Sequence, residues 1–397
     1  MSMLVQPEFG AFSLGEMERR HRKARELMSD AGIDALFLSQ DENVQYFAGT
    51  SPSMTLNFSL TRPYMLIVPA NAPPVAITMG RGNLLASGYV KDVRGYKELL
   101  SFPLATVVNV LKELGLEKSR IGFELGHEQR MGIPVGAFLE IRESLPAMKA
   151  VDAGSLLIRT RIIKSPEEVA LMRQAAEITG RARQWLFKHE KLKHGITERE
   201  IDRLMRQLIL EEGGDRTSFV ILQDNNKPGA SNPFKTDRRL NRGDILAIDT
   251  GAYCGMYTID YPRMAILGKA TDEHKHVYRA VLEVNRKMTE ALRPGITCAQ
   301  LFDVCMKAID DAGVEIDDPS RIDGGRMGHG MGMIITEPPS IMPGDNTVLE
   351  PGMIISTEPG VRLGNIQFLY EDVHVVTESG SDRLTQESDT LHERIDF

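Results

Sequence analysis

The chain has 397 residues, with 47 Lys plus Arg against 55 Asp plus Glu, a net charge of −8. That balance, broken only by a short basic patch at Arg19–Arg25, argues against binding a nucleic-acid backbone, and no apolar run reaches the ~18 residues of a membrane span. The three cysteines, Cys254, Cys298 and Cys305, lack zinc-site or redox spacing, and the MSMLVQPEFGAFS start lacks the charge and apolar stretch of a signal peptide, so a reduced cytoplasmic setting is expected.

The first third alternates helix and strand. Leu14 to Ala31 is amphipathic and charged, and Gly32 follows as a stop residue. Ile33–Ser39, Pro63–Pro69 and Val75–Met79 read as short apolar strands, Thr106–Leu114 as a helix and Arg120–Glu124 as a strand. This pattern predicts an α/β domain over 1–160. Ser165-Pro166-Glu167-Glu168 then opens a helix, with Ser165 as cap and the two acids at the positive helix end. A second domain is therefore expected over 161–397.

That second domain carries an internal echo. Gly195-Ile196-Thr197 recurs as Gly295-Ile296-Thr297, and the register continues through Ile209 with Ile309 and Gly213 with Gly313. Each copy has a capping-box pattern, Thr197 with Glu200 and Thr297 with Gln300. The echo predicts two related half-domains with a cleft between them.

Five residues stand out beyond position 240. Asp249 ends the strand Gly243–Asp249, and Asp260 lies eleven residues on, across a hairpin that turns at Tyr253–Gly255. Two carboxylates side by side repel each other, and a bound metal is the usual remedy. His329 is flanked by glycines in Gly328-His329-Gly330, and Glu358 follows an apolar strand. Phe368–Val376 reads as one strand with Leu369, Glu371 and Val373 on one face, which is costly for an acid unless a cation meets it. Taken singly, each residue reads as a turn residue or a packed histidine; the joint pattern points to a metal site. Cys254 reads as a turn-packing residue, and Trp185 as a residue packed between domains.

The set resembles the metallopeptidase family of methionine aminopeptidase, aminopeptidase P, prolidase and creatinase. The resembling segments are DTGAYCGMYTIDYPR (249–263), GHGMG (328–332), LEPGMIISTEPG (349–360) and YEDVHVVTESG (370–380), with IKSPEEVALMRQAAEIT (163–179) opening the second domain. ENVQYFAGT (42–50) and RPYMLIVP (62–69) resemble the N-terminal domain of the prolidase and creatinase branch. The resemblance implies an α/β creatinase-like N-terminal domain, an α+β pita-bread catalytic domain with duplicated halves, and a homodimer. It also implies two divalent metal ions (Mn, Fe, Co or Zn): Asp249 on one, Asp260 and Glu371 bridging both, His329 and Glu358 completing the other. A water or hydroxide held between them would attack an amide C–N bond of a short peptide or other small molecule, with Glu358 carrying the proton.

The chain departs from that family in the residues around the metals. Two histidines that would donate to the scissile carbonyl and the leaving amine fall here on Ser231 or Asn232 and on Thr336, and Leu369 stands where an arginine is common. Pro262 replaces a threonine while Arg263 is kept. Ser231, Asn232, Thr336 and Arg263 therefore join Glu358 as candidate catalytic residues. The first reading is an Xaa-Pro peptidase-like metallohydrolase. Two others stay open at this point: hydrolysis or lysis of a non-peptide metabolite on the same metals, and a non-catalytic binding protein on the same fold.

Overall fold

The structure, a computed structural model, describes residues 12–50, 62–79, 88–224, 235–314, 325–363, 366–385 and 389–397. The chain divides into two compact units, Met1–Arg161 and Ile162–Phe397.

In the first unit, helix α1 (Leu14–Ala31) starts under the Ser13 side chain, which accepts from Glu16 N. It stops at Gly32, whose φ of +61° is a left-handed conformation that glycine adopts without Cβ strain. Helix α2 (Asp41–Ala48) follows β1 (Ala35–Leu38). A six-stranded sheet runs β4-β3-β2-β1-β5-β6, with β2 at Met65–Pro69, β3 at Val75–Thr78, β4 at Asp92–Gly95, β5 at Arg120–Phe123 and β6 at Lys149–Asp152. Helices α3 (Leu104–Glu113) and α4 (Val135–Ser144) bury Val107, Leu111 and Ile141 in one core with Phe37, Ile67, Ile77 and Phe123 of the sheet. Helix α5 (Gly154–Ile162) reaches the unit boundary.

The second unit opens with α6 (Pro166–Lys188); Ser165 caps it as expected, and Glu168 completes a capping box with it. Helix α7 (Glu198–Glu211) and the later α9 (Cys298–Ala312) carry capping boxes on Thr197 and Thr297. The echo between them extends into the backbone. Gly195 N donates to Leu240 O and Gly295 N to Leu349 O; Leu240 N returns to Ile196 O and Leu349 N to Ile296 O. The two halves are built to one plan, as the repeated sequence predicts. Helix α8 (Asp272–Ala291) lies between them in the chain.

Strand β8 (Ile245–Cys254) pairs with β7 (Arg216–Asp224), β9 (Tyr257–Thr258) and β10 (Tyr261–Ile266), and β10 pairs with β18 (His392–Glu393). A second sheet runs β12-β11-β13-β16-β17, with β11 at His329–Gly330, β12 at Glu337–Ser340, β13 at Ile354–Thr357, β16 at Asp372–Val376 and β17 at Ser381–Arg383. Strands β14 (Gly360–Leu363) and β15 (Ile366–Leu369) form a separate hairpin. Phe368–Val376 is thus two strands in two sheets rather than one, so Leu369, Glu371 and Val373 do not share a strand face. The chain leaves β15 at Leu369 and enters β16 at Asp372. A buried arginine holds the break open: Arg263 donates to Glu371 O at 2.5 Å and pairs with Asp372 Oδ1 at 2.8 Å. Trp185 is 58% exposed. Among the described residues no helix is long and apolar enough to cross a membrane.

Candidate metal centre

Strand register brings Asp249 and Asp260 onto one face. Tyr253 lies opposite Thr258, Thr250 opposite Tyr261 and Asp249 opposite Pro262. That register puts Gly251 across from Asp260. Gly251 is two residues from Asp249, so alternation along the strand points both acids the same way. The close approach requires glycine, since a Cβ on Gly251 would lie 1.4 Å from Ile259 O.

His329 enters from β11. Its flanking glycines are a packing requirement: a Cβ on Gly328 would lie 2.1 Å from Ser356 O, and one on Gly330 2.4 Å from Pro338 O. The ring Nδ1 lies 2.9 Å from Gly330 O, and a carbonyl can only accept, so Nδ1 carries the proton and Nε2 presents a lone pair. Burial, helped by the charge of Arg326, pushes this imidazole down to about 4, so the ring is neutral near pH 7. His329 Nε2 lies 3.8 Å from Oε1 of Glu358, the residue that follows β13.

Glu371 sits in the break between β15 and β16 and is buried, as are Asp260 and His329. Ligand atoms of Asp260, His329 and Glu371 lie within 4.8 Å of one another, a spacing that could hold a metal ion. Asp260 Oδ1 and Glu371 Oε1 are buried with no hydrogen-bond partner. Burial first, and then the charges of Asp249 and Glu358, hold the Asp260 carboxyl well above the usual carboxylate range, with Arg326 pulling the other way. Glu371 is raised by burial and then by Asp260, Glu358 and Asp249. Asp260, His329 and Glu371 thus form one cluster, Glu358 stands beside His329, and Asp249 shares a strand face with Asp260. Three or four carboxylates crowded with so few donors are what cations relieve.

The remaining candidates fall differently. Arg263 is buried and does its work on the backbone: it donates to Pro262 O and Glu371 O and pairs with Asp372, whose Oδ1 also accepts from Thr385 Oγ1. Its guanidinium lies over the Tyr370 ring at 4.2 Å. It holds Glu371 in place, a positioning part rather than the catalytic one expected. Thr336 Oγ1 accepts from Arg326 Nη2 at 3.2 Å. The next residue, Glu337, is buried, pairs with Lys164 at 3.1 Å and accepts from Ile334 N. Ser231 and Asn232 lie outside the described residues. Cys254 is buried and its thiol is pushed up to about 11, in keeping with a packing role.

Sequence reasoning missed Arg326. Its Nε lies 3.5 Å from Glu358 Oε1, and its side chain is 22% exposed. The signal was present but slight: a lone cation in Gly325-Arg326-Met327-Gly328, immediately ahead of the glycine-flanked histidine.

Comparison with known proteins follows the same division. The description "Metallopeptidase family M24" matches residues 170–378, and "Creatinase/Prolidase N-terminal domain" matches 20–163. The chain is similar to the Xaa-Pro dipeptidase of Pyrococcus horikoshii, 27% identical over 93% of this chain and 97% of that protein. It is also similar to a creatinase of Bacillus sp., 26% identical over 94% of this chain and 92% of that one. Among solved structures, the Xaa-Pro dipeptidase from Bacillus anthracis superposes with a TM-score of 0.80 at 22% identity, over 95% of this chain and 99% of that one, a likeness of fold. These matches favour amide hydrolysis over the non-peptide and non-catalytic readings. An N-terminal domain of the creatinase and prolidase kind, a duplicated second unit and a buried cluster of acids around one neutral histidine lead to a single conclusion: the chain belongs to metallopeptidase family M24 and is a metal-dependent hydrolase of amide bonds.

Proposed function

We propose that this chain is an Xaa-Pro dipeptidase-like enzyme that works with two divalent metal ions. The observation that carries the reading is the acid cluster: Asp260 Oδ1 and Glu371 Oε1 are buried without donors, and each carboxyl is raised by burial and then by its acidic neighbours. Four carboxylates balance two divalent cations, and the donor set fits. Asp249 would hold one ion, Asp260 and Glu371 both, and His329 and Glu358 the other. Carboxylate-rich ligation with one imidazole suits Mn²⁺, Fe²⁺, Co²⁺ or Zn²⁺. We favour manganese, a homodimer and a cytoplasmic location; three free, buried thiols accord with a reducing compartment. The domain division would be a creatinase-like domain over 1–160 and a pita-bread catalytic domain over 161–397.

Bound ions of this kind polarise an amide carbonyl and acidify a water enough for attack near neutral pH. The protein's own groups do the rest. His329 is neutral, with its Nδ1–H tied to Gly330 O, so Nε2 is kept as a ligand. Arg263 and Asp372 fix the backbone of Glu371. Glu358 is half-buried at the edge of the cluster, where it can take a proton from the attacking water and deliver it to the leaving amine nitrogen.

The test is hydrolysis of a panel of Xaa-Pro dipeptides against small amides and quaternary-amine metabolites, with and without a chelator. Chelator-sensitive release of proline is expected. Turnover that survives chelation, or turnover of the non-peptide amides alone, contradicts the reading.

A further inference from the structure

Among the described residues, Arg326 is a cation at the edge of the acid cluster that the ligand set does not use. Arg326 Nε lies 3.5 Å from Glu358 Oε1, and its Nη2 donates to Thr336 Oγ1 at 3.2 Å. Nε is buried with no hydrogen-bond partner. The charge of Arg326 reaches inward as well: it opposes the upward shift of Asp260 and helps push down His329. A guanidinium has five N–H donors in a rigid fork, and Thr336 and Glu358 together engage one edge of it.

Amide hydrolysis develops negative charge that a positive group beside the cluster can stabilise. When water attacks, the new C–O bond forms and the carbonyl π pair moves onto the amide oxygen, which becomes anionic. The proton of the attacking water passes to Glu358. The oxygen's negative charge then collapses to re-form C=O as the C–N bond breaks, and Glu358 returns the proton to the amine. Atoms and charge balance without any co-reactant beyond water. A fixed donor aimed where the negative charge develops accelerates such a step more than any other single device. No histidine stands at Thr336 to provide it, and Thr336 instead anchors a guanidinium.

We propose that Arg326, braced by Thr336 and Glu358, is the electrostatic donor that stabilises the amide oxygen as it becomes anionic, and is therefore a catalytic residue of this chain. The inference rests on the dinuclear hydrolase reading above.

The experiment uses the full-length metal-loaded enzyme and the variants Arg326→Ala and Arg326→Lys. Bound metal is measured for each, together with kcat and KM on the best Xaa-Pro dipeptide. Affinity is measured for a phosphinic dipeptide isostere, a tetrahedral anion that resembles the attacked amide. Arg326→Ala should keep its metal, lose kcat about 100-fold and change KM little. Its affinity for the phosphinic isostere should fall by a comparable factor, and added guanidinium should restore part of kcat. Arg326→Lys should retain more activity than Arg326→Ala. A loss confined to KM overturns the proposal, because it would make Arg326 a reader of ground-state substrate. A kcat within threefold of the unmodified enzyme, or a kcat loss with unchanged isostere affinity, overturns it too. If the unmodified protein neither binds metal nor cleaves dipeptides, the hydrolase reading falls, and the proposal with it; an active, metal-loaded Arg326→Ala enzyme defeats the proposal alone.

Discussion

Each unit of the molecule buries carboxylates, and the two handle them in opposite ways. Glu124, after β5 in the first unit, accepts from Ser39 N, Ser39 Oγ, Gln40 N and Asn43 Nδ2 at 2.8–3.1 Å. Burial still pushes it up to about 7 against the pull of those donors. Asp260 and Glu371 in the second unit are also buried and raised, yet each keeps an oxygen without a donor and faces further acids. A carboxylate surrounded by N–H and O–H groups is a structural tie between β1, α2 and β5. Carboxylates surrounded by carboxylates are stable only when something positive joins them. Burial and raised affinity for protons are common to both; the donor inventory tells the functional cluster from the structural one.

That contrast fails if the two centres respond alike to mutation. Asp260→Asn or Glu371→Gln should remove bound metal and lower dipeptide hydrolysis by at least about 1000-fold, beyond the 10–100-fold typical of residues outside the ligand sphere. Stability of the metal-free protein should not fall, since each change relieves like-charge repulsion. Glu124→Ala should do the reverse. Four donors lose their shared acceptor, so stability drops by about 3 kcal/mol in denaturant unfolding while metal content per folded molecule is unchanged.

The pH dependence sharpens the same point. Glu124 has a folded-state value of about 7 against an ordinary 4.5, so between those values the folded state binds more protons than the unfolded one. Its contribution to stability is therefore fully present below pH 4.5 and is lost as pH rises through 7. Glu124→Gln should flatten the profile in that window. Asp260 and Glu371 shift in the same direction in the metal-free protein, but metal binding demands their charged forms, so adding metal should reverse their part of the slope. At a metal concentration 100 times the Kd of each site, the unfolding free energy of the second unit should rise by about 2.7 kcal/mol per bound ion, about 5.4 kcal/mol for two, and that of Asp260→Asn should not. The smallest effect compares the two halves of that unit: Thr197→Ala and Thr297→Ala should each cost about 1 kcal/mol if the duplicated caps act equally.

Much of this was legible in the chain itself. Capping boxes are local, so Ser165, Thr197 and Thr297 announced their helices. A hairpin is local too, so Asp249 and Asp260 could be brought side by side from the sequence, while their shared face came from the strand register. Edge strands were harder: β4 (DVRG) and β6 (KAVD) lack the apolar runs of β1 and β2, and they are strands because a neighbour offers its free edge. The break at Tyr370–Glu371 was invisible because Arg263, more than a hundred residues earlier, makes it. Arg326 was missed for a similar reason. A single cation in a glycine-rich turn says nothing until Thr336 and Glu358 are seen on either side of it.

The central claim is that the acids and the histidine of the second unit form a two-metal hydrolytic centre. The most direct measurement is to strip the protein with a chelator and titrate Mn²⁺ back, following bound metal and release of proline from an Xaa-Pro dipeptide in the same samples. Two equivalents should bind per chain, with hydrolysis appearing as they bind, and neither should occur in Asp260→Asn. Hydrolysis by the stripped protein, or two equivalents bound by Asp260→Asn, would contradict it.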